Sequence, residues 1–182
     1  MQSSEPNRRG WSEHAFPDAG PGEAEQDAYK RLSVNAAKGV AVVTAVHRGW
    51  DVAVTVTDFL SVSYDPPTVL VSLYSLSRMA EALDETDRWG LSLLAAGQRG
   101  VADALGYEGN PLVGLLDHVP HFRRADGAPP LIDGALSWFE VRTVAKHEVA
   151  THTLFVGEVT AMGRAAAATA GPLIRFRSGY LG

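Results

Sequence analysis

Residues 55–73 read TVTDFLSVSYDPPTVLVSL, two apolar-alternating runs on either side of an Asp65-Pro66-Pro67 corner. Alternation with a period of two places successive side chains on opposite faces of a strand. Neither proline can donate to a β-ladder, so the corner ends one strand before the next begins. Upstream, GVAVVTAV (Gly39 to Val46) and VAVTVT flank HRGWD, where Gly49 supplies a turn. This pattern predicts a hairpin. The run TVLVSLY is apolar enough for a strand buried on both faces. Strands that follow one another through short turns point to an antiparallel sheet and against regular βαβ units.

The remaining pattern agrees. Residues 1 to 25 are polar and rich in Pro, Gly and acids, and read as a flexible arm ahead of a single domain over 26–182. With 182 residues, 46% apolar and 20% charged, the chain can bury a sizeable core. EAEQDAYKRLSVNAAK predicts a short helix of weak amphipathic period. Ser77 can cap a helix running through Arg78, Met79, Ala82 and Leu83. Gly90 follows that helix, LSLLAA returns as a strand, and Gln98 to Leu105 suggests another short helix. Residues 106–135, rich in Gly and Pro, read as a long loop region. ALSWFEVRTVAKHEV and HTLFVGEVTAM alternate as the two strands of a hairpin, and PLIRFRSGYLG reads as a last strand or a docked tail. About seven strands and two or three short helices fit an antiparallel barrel with peripheral helices. No G-x-G-x-x-G and no P-loop is present, so a doubly wound nucleotide fold fits poorly.

Composition removes several function classes. The absence of cysteine excludes disulfides, thiolate zinc, iron–sulfur clusters and a cysteine nucleophile. A formal charge of -5 gives no general attraction for nucleic acid. No apolar run approaches the roughly 20 residues of a membrane span. The start, MQSSEPNRRGWSEHAF, has no apolar centre of a signal peptide, so a cytoplasmic protein is expected. Arginine far outnumbers lysine, and alanine and glycine are plentiful, which hints at a GC-rich bacterial source.

The chemistry-bearing residues cluster around the opening stretch. Strand alternation sends Val54, Val56, Leu60 and Val62 to the core and Thr55, Thr57, Phe59, Ser61 and Ser63 to the other side. A solvated sheet face explains such a row. So does a cradle in which hydroxyls and backbone amides hold a phosphate, with Asp58 marking a break or bulge. Ser75, Ser77 and Arg78 lie where a strand gives way to a helix, which is either simple capping or an anion site. His118 and His121 have metal-like spacing, but Pro120 intervenes and no metal site is expected. His152, at the start of HTLFVGEV, is a surface polar residue or the edge of a cofactor pocket. Asp84, Glu85 and Asp87 read as a solvated helix end, and the lack of G-x-S-x-G leaves a serine hydrolase unsupported.

In order along the chain, KGVAVVTAV, AVTVTDFLSVSYDPPTVLVSL, SRMAEAL, LSLLAAGQ, GAPPLIDGALSWFEV, HTLFVGEV and FRSGY resemble the flavin reductase-like, FMN-binding split-barrel family. That family includes the reductase components of two-component flavin-dependent monooxygenases. The resemblance covers about residues 29–181 and implies a mainly β, antiparallel, Greek-key-like split barrel that forms a homodimer. It implies FMN or FAD as cofactor and NADH or NADPH as hydride donor. By position, Thr55, Val56, Thr57, Asp58 and Phe59 would flank the flavin. Ser72, Leu73, Ser75, Ser77 and Arg78 would follow its ribityl phosphate, and Ser92, Leu93 and Leu94 would touch the ring edge. His152 would orient the nicotinamide, with Arg177 and Tyr180 close to the cofactor. The implied activity is NAD(P)H-dependent reduction of flavin for a partner monooxygenase. A flavin-binding protein without reductase activity, or a flavin-dependent biosynthetic oxidoreductase acting on an organic substrate, are the alternatives. The chain departs from the family pattern at Val52, Ala53, Asp58, Tyr74, Ser92 and Thr151.

Overall fold

The computed structural model describes residues 24–107, 109, 110, 114–164 and 170–181. The expected arm, apart from Ala24 and Glu25, lies outside the described residues. Helix α1 (Glu25–Ser33) leads into β1 (Lys38–Gly39), β2 (Ala41–His47), β3 (Trp50–Val56), β4 (Phe59–Tyr64) and β5 (Pro67–Tyr74). Helix α2 (Arg78–Glu85), β6 (Arg88–Leu93), a 3-10 turn (Ala96–Gln98) and α3 (Arg99–Gly106) follow. Then come β7 (His121–Phe122), β8 (Leu131–Ile132), β9 (Ser137–Val149), β10 (His152–Gly163), β11 (Ile174–Phe176) and β12 (Gly179–Leu181). No helix among the described residues is long and apolar enough to cross a membrane.

Seven antiparallel strands form one sheet in the order β3-β2-β6-β9-β10-β5-β4. Its two edge strands, β3 and β4, are consecutive in the chain and joined only by Thr57 and Asp58. The sheet must therefore curl until its edges meet there. Among the described residues no ladder joins β3 to β4, so the barrel stays open along that seam. The expected hairpin is β2–β3, turned by Arg48 (φ 50°) and Gly49 (φ 82°). Both lie in the left-handed region that a tight two-residue hairpin demands. The expected hairpin β9–β10 is also present, with bulges after Val156 and Val159 that increase its twist.

Inside the barrel, Val43, Val71, Trp89, Leu91 and Phe155 are fully or almost fully buried. Each such side chain contributes about 1.5–3 kcal/mol on removal from water. A second core lies outside β2 and β3, where Val40, Val42, Leu105, Ile132 and Leu173 pack together. It carries α3 and the Gly/Pro-rich segment, whose described residues beyond α3 are loop apart from the short pair β7–β8. The tail forms a separate three-stranded sheet, β1-β11-β12.

Three expectations are corrected. Strand β5 is not buried on both faces: Val69, Val71 and Leu73 point into the core, while Thr68, Leu70 and Ser72 are half-buried on the outer side. Alternation does not run unbroken through Asp58. Phe59 packs on the core, while Leu60 and Val62 point outward and are half exposed, because the two-residue link shifts the phase. Gly90 does follow α2, but it lies within β6, which starts at Arg88 and not at Leu91.

Candidate functional site

A cavity of about 540 Å³ opens between β3, the end of β5, the start of α2 and the end of α3. Val52, Val54, Tyr74, Ser77, Arg78 and Asn110 are among its lining residues. The local sequence explains this arrangement. β5 ends at Tyr74, and Ser77 starts α2 by accepting a hydrogen bond from the Ala80 amide at 3.2 Å. The positive end of the helix therefore faces the cavity rim. Arg78 Nη2 donates to the Asn110 carbonyl at 2.9 Å, and Asn110 Nδ2 donates to Ala104 O at 2.7 Å. The guanidinium is thus fixed to the end of α3.

β10 brings the histidine to the same end of the barrel. His152 stands opposite Tyr74 in the ladder, and the two rings meet edge-on with centroids 5.9 Å apart. The Thr151 hydroxyl lies 3.0 Å from His152 Nδ1. Ser75 is tied to the same turn: its amide donates to Thr151 O and its hydroxyl lies 3.0 Å from Thr153 Oγ1.

The row of hydroxyls is not one continuous cradle. Thr55 Oγ1 donates to Ala102 O at 2.9 Å and fastens α3 to the barrel. Ser63 Oγ bonds both the amide and the carbonyl of Asp65 and shapes the proline corner. Thr57 lines a separate cavity of about 220 Å³ with Lys38 and Arg177. Asp58 sits at the break in the barrel, where its carboxylate meets Lys38 Nζ at 2.5 Å and its carbonyl accepts from the Ser72 amide at 2.8 Å. The acid that interrupts the apolar face is therefore outside the core and paired.

Other expected site residues point inward. Val56 and Leu73 belong to the barrel core, and Leu94 to the outer core. Phe59 packs on the barrel core and against Gly39, and Leu93 also packs on that core. Ser92 is fully buried, and its Oγ accepts the Ile132 amide at 3.0 Å, tying the long loop to β6. Arg177 Nε donates to Asn35 Oδ1 at 3.0 Å. Tyr180 lies between the guanidinium groups of Arg99 and Arg175, at 5.6 and 4.8 Å.

Sequence reasoning did not single out Lys38, Tyr74, Asn110 and Arg175 as site residues. Their roles depend on partners far along the chain, and a one-dimensional pattern carries no trace of those. A larger depression of about 630 Å³ beside Asp84, Glu85, Asp87 and Lys146 has carboxylate walls, which suit a phosphate-bearing ligand poorly. Among the described residues, His47, Glu81 and Glu85 come together with metal-like spacing, but both acids already pair with Arg48.

Residues 34–182 match the family described as flavin reductase like domain. The NADH-dependent flavin reductase StyB of Pseudomonas fluorescens is 38% identical over 149 residues, which is 80% of this chain and 83% of that protein. The styrene monooxygenase flavin reductase SMOB from Pseudomonas putida S12 has a similar structure, with a TM-score of 0.72 at 34% identity. That match covers 85% of this chain and 96% of the other. The NADH:FAD oxidoreductase SgcE6 of Streptomyces globisporus, solved in complex with NAD and FAD fragments, gives a TM-score of 0.79 at 26% identity. It spans 87% of this chain and 92% of the neighbour.

Proposed function

The chain belongs to the flavin reductase-like domain family, and from that membership we propose that it reduces flavin with NADH and supplies the reduced flavin to a partner monooxygenase. The observation that carries this reading is the 540 Å³ cavity, where the start of α2 and Arg78 meet apolar walls next to the Tyr74–His152 pair. Its size lies within the roughly 300–1,000 Å³ of small-molecule sites. The donor set fits a flavin. Arg78 and the positive end of α2 suit the phosphate. Val52, Val54 and the Tyr74 ring suit a flat aromatic body.

The flavin, when bound, supplies the redox chemistry, accepting a hydride from NADH. The protein's own part is binding and orientation. Arg78 holds the phosphate end, so the ring end has a fixed direction. Tyr74 walls the cavity and braces the imidazole of His152. His152, held at Nδ1 by the Thr151 hydroxyl, presents Nε2 as a hydrogen-bonding atom for the nicotinamide nucleotide. It positions and does not transfer a proton.

A homodimer in the cytoplasm completes the reading. Leu60, Leu70 and Val156 stand side by side across β4, β5 and β10, with Leu60 51% exposed at an unpaired sheet edge. Such an apolar row supports burial against a second copy.

The test is an anaerobic titration of the FMN-supplemented protein with NADH, following the oxidised flavin absorbance. Bleaching far faster than with free FMN is expected. Bound flavin that stays oxidised with both NADH and NADPH removes the reductase reading and leaves flavin carriage.

A further inference from the structure

The tail sheet and the C-terminal end of α1 enclose the smaller cavity, of about 220 Å³. Among its described lining residues three are cations, Lys38, Arg175 and Arg177, and none is a carboxylate. Thr57, Ser33 and Ser178 add hydroxyl-bearing side chains. The chain as a whole carries a net charge of -5, so this concave positive patch opposes the overall sign.

The arrangement works against stability in two ways. Lys38 and Arg175 stand directly opposite each other in the β1–β11 ladder, with their side chains on one face. Like charges so placed repel. Asp58 compensates Lys38 alone, at 2.5 Å. Arg177 (φ 46°) and Ser178 (φ 65°) form the turn between β11 and β12 in the left-handed region, where Asn and Gly are the ordinary residues. The turn is held there because the Arg177 amide donates to Val34 O and its Nε to Asn35 Oδ1. Asn35 is neutral, and among the described residues no carboxylate pairs with the guanidinium. Arg175 faces the ring of Tyr180, which also leaves its charge in place.

We propose that this cavity is a second, phosphate-binding site, in which Lys38, Arg175 and Arg177 hold a phosphoryl or pyrophosphoryl group. Two guanidinium forks suit the bidentate oxygens of such an anion. The volume is below the range for a whole cofactor and matches a charged group alone. An anion seated there removes the repulsion between Lys38 and Arg175. Its source is the pyrophosphate of NADH, since the phosphate of the flavin falls to Arg78 in the larger cavity. This last step rests on the flavin-reductase reading; the anion site itself does not.

The test titrates the flavin-free protein with inorganic pyrophosphate by calorimetry at low ionic strength. Parallel melts are recorded with and without the anion. Arg175→Gln and Lys38→Met should each weaken pyrophosphate binding by about tenfold, the loss of one charge-assisted contact. Arg175→Gln should also melt higher than the parent without anion and lose most of the anion-induced rise in Tm. Equal pyrophosphate affinity in the parent and both variants, or none in any, overturns the site. Steady-state kinetics then tests the source. A rise in the KM for NADH alone identifies the nicotinamide nucleotide, and a rise in the KM for flavin alone overturns that assignment. If neither KM moves, the assignment to a nucleotide is overturned. If no flavin is reduced at all, the proposed function fails, while calorimetry still reads the anion site.

Discussion

Tyr74 and His152 face each other across β5 and β10, and their rings meet at 65° with centroids 5.9 Å apart. Tyr74 lines the large cavity, so the histidine is braced by the same ring that walls the candidate flavin site. His152→Ala is expected to lower kcat/KM for NADH by about tenfold, the loss of one positioning hydrogen bond. Flavin affinity should stay unchanged. Tyr74→Phe keeps the ring and should behave as the parent. Stopped-flow reduction and flavin fluorescence titration measure the two quantities, and unaltered NADH turnover in His152→Ala refutes the role.

Arg78 stands at the first position of α2, beside the Ser77 cap. Its guanidinium is suited to a phosphate and contributes nothing specific to an uncharged ribityl chain. Arg78→Gln should weaken FMN binding by roughly tenfold and leave riboflavin binding as it was. Equal losses for both ligands would point to a disturbed cavity, because Arg78 also holds Asn110.

Arg48 at the tip of the β2–β3 hairpin reaches Glu81 and Glu85 on α2, and His47 lies 2.9 Å from Glu85. Hydrogen bonds from Arg48 and then His47 hold the Glu85 carboxyl below its ordinary 4.5, against a smaller opposing effect of burial. A depressed folded value means the contribution is present above pH 4.5 and is lost as pH falls through the folded value. Glu85→Gln should therefore melt below the parent at neutral pH, and the two curves should converge in acid. A constant difference across the series would rule out this linkage.

Gly90 in β6 lies under the long loop. A Cβ there would stand 2.5 Å from Thr44 Oγ1 and 3.0 Å from the Pro130 carbonyl. Those two atoms already share a hydrogen bond. Gly90→Ala is expected to cost about 1–3 kcal/mol, read as a lower urea midpoint with an unchanged m-value. A neutral substitution would mean that the loop lifts away freely.

The strands were legible because each is a local pattern. Period-two alternation, the Asp65-Pro66-Pro67 corner and the Arg48-Gly49 turn mark β2 to β5 without any knowledge of their partners. Ser77 announced α2 for the same reason, since a cap bonds an amide only three residues away. The ordered motifs also sufficed to place the chain in its family. The sequence alone did not reveal where the alternation changes phase. Asp58 signalled a break, but only the curled sheet shows that Leu60 and Val62 then turn outward while Phe59 turns in. Nor did it assign the hydroxyls, which divide among fastening α3, shaping a corner and lining a small cavity. Ser92 looks like any strand serine until the loop amide of Ile132, 40 residues later, claims its hydroxyl. Lys38, Arg175 and Arg177 become one cationic cluster only because the tail returns to pair with β1. Short-range structure follows from backbone sterics and the spacing of apolar residues, which the chain carries in itself. The sites follow from contacts between distant segments, and these exist only once the curling of the sheet has brought them together.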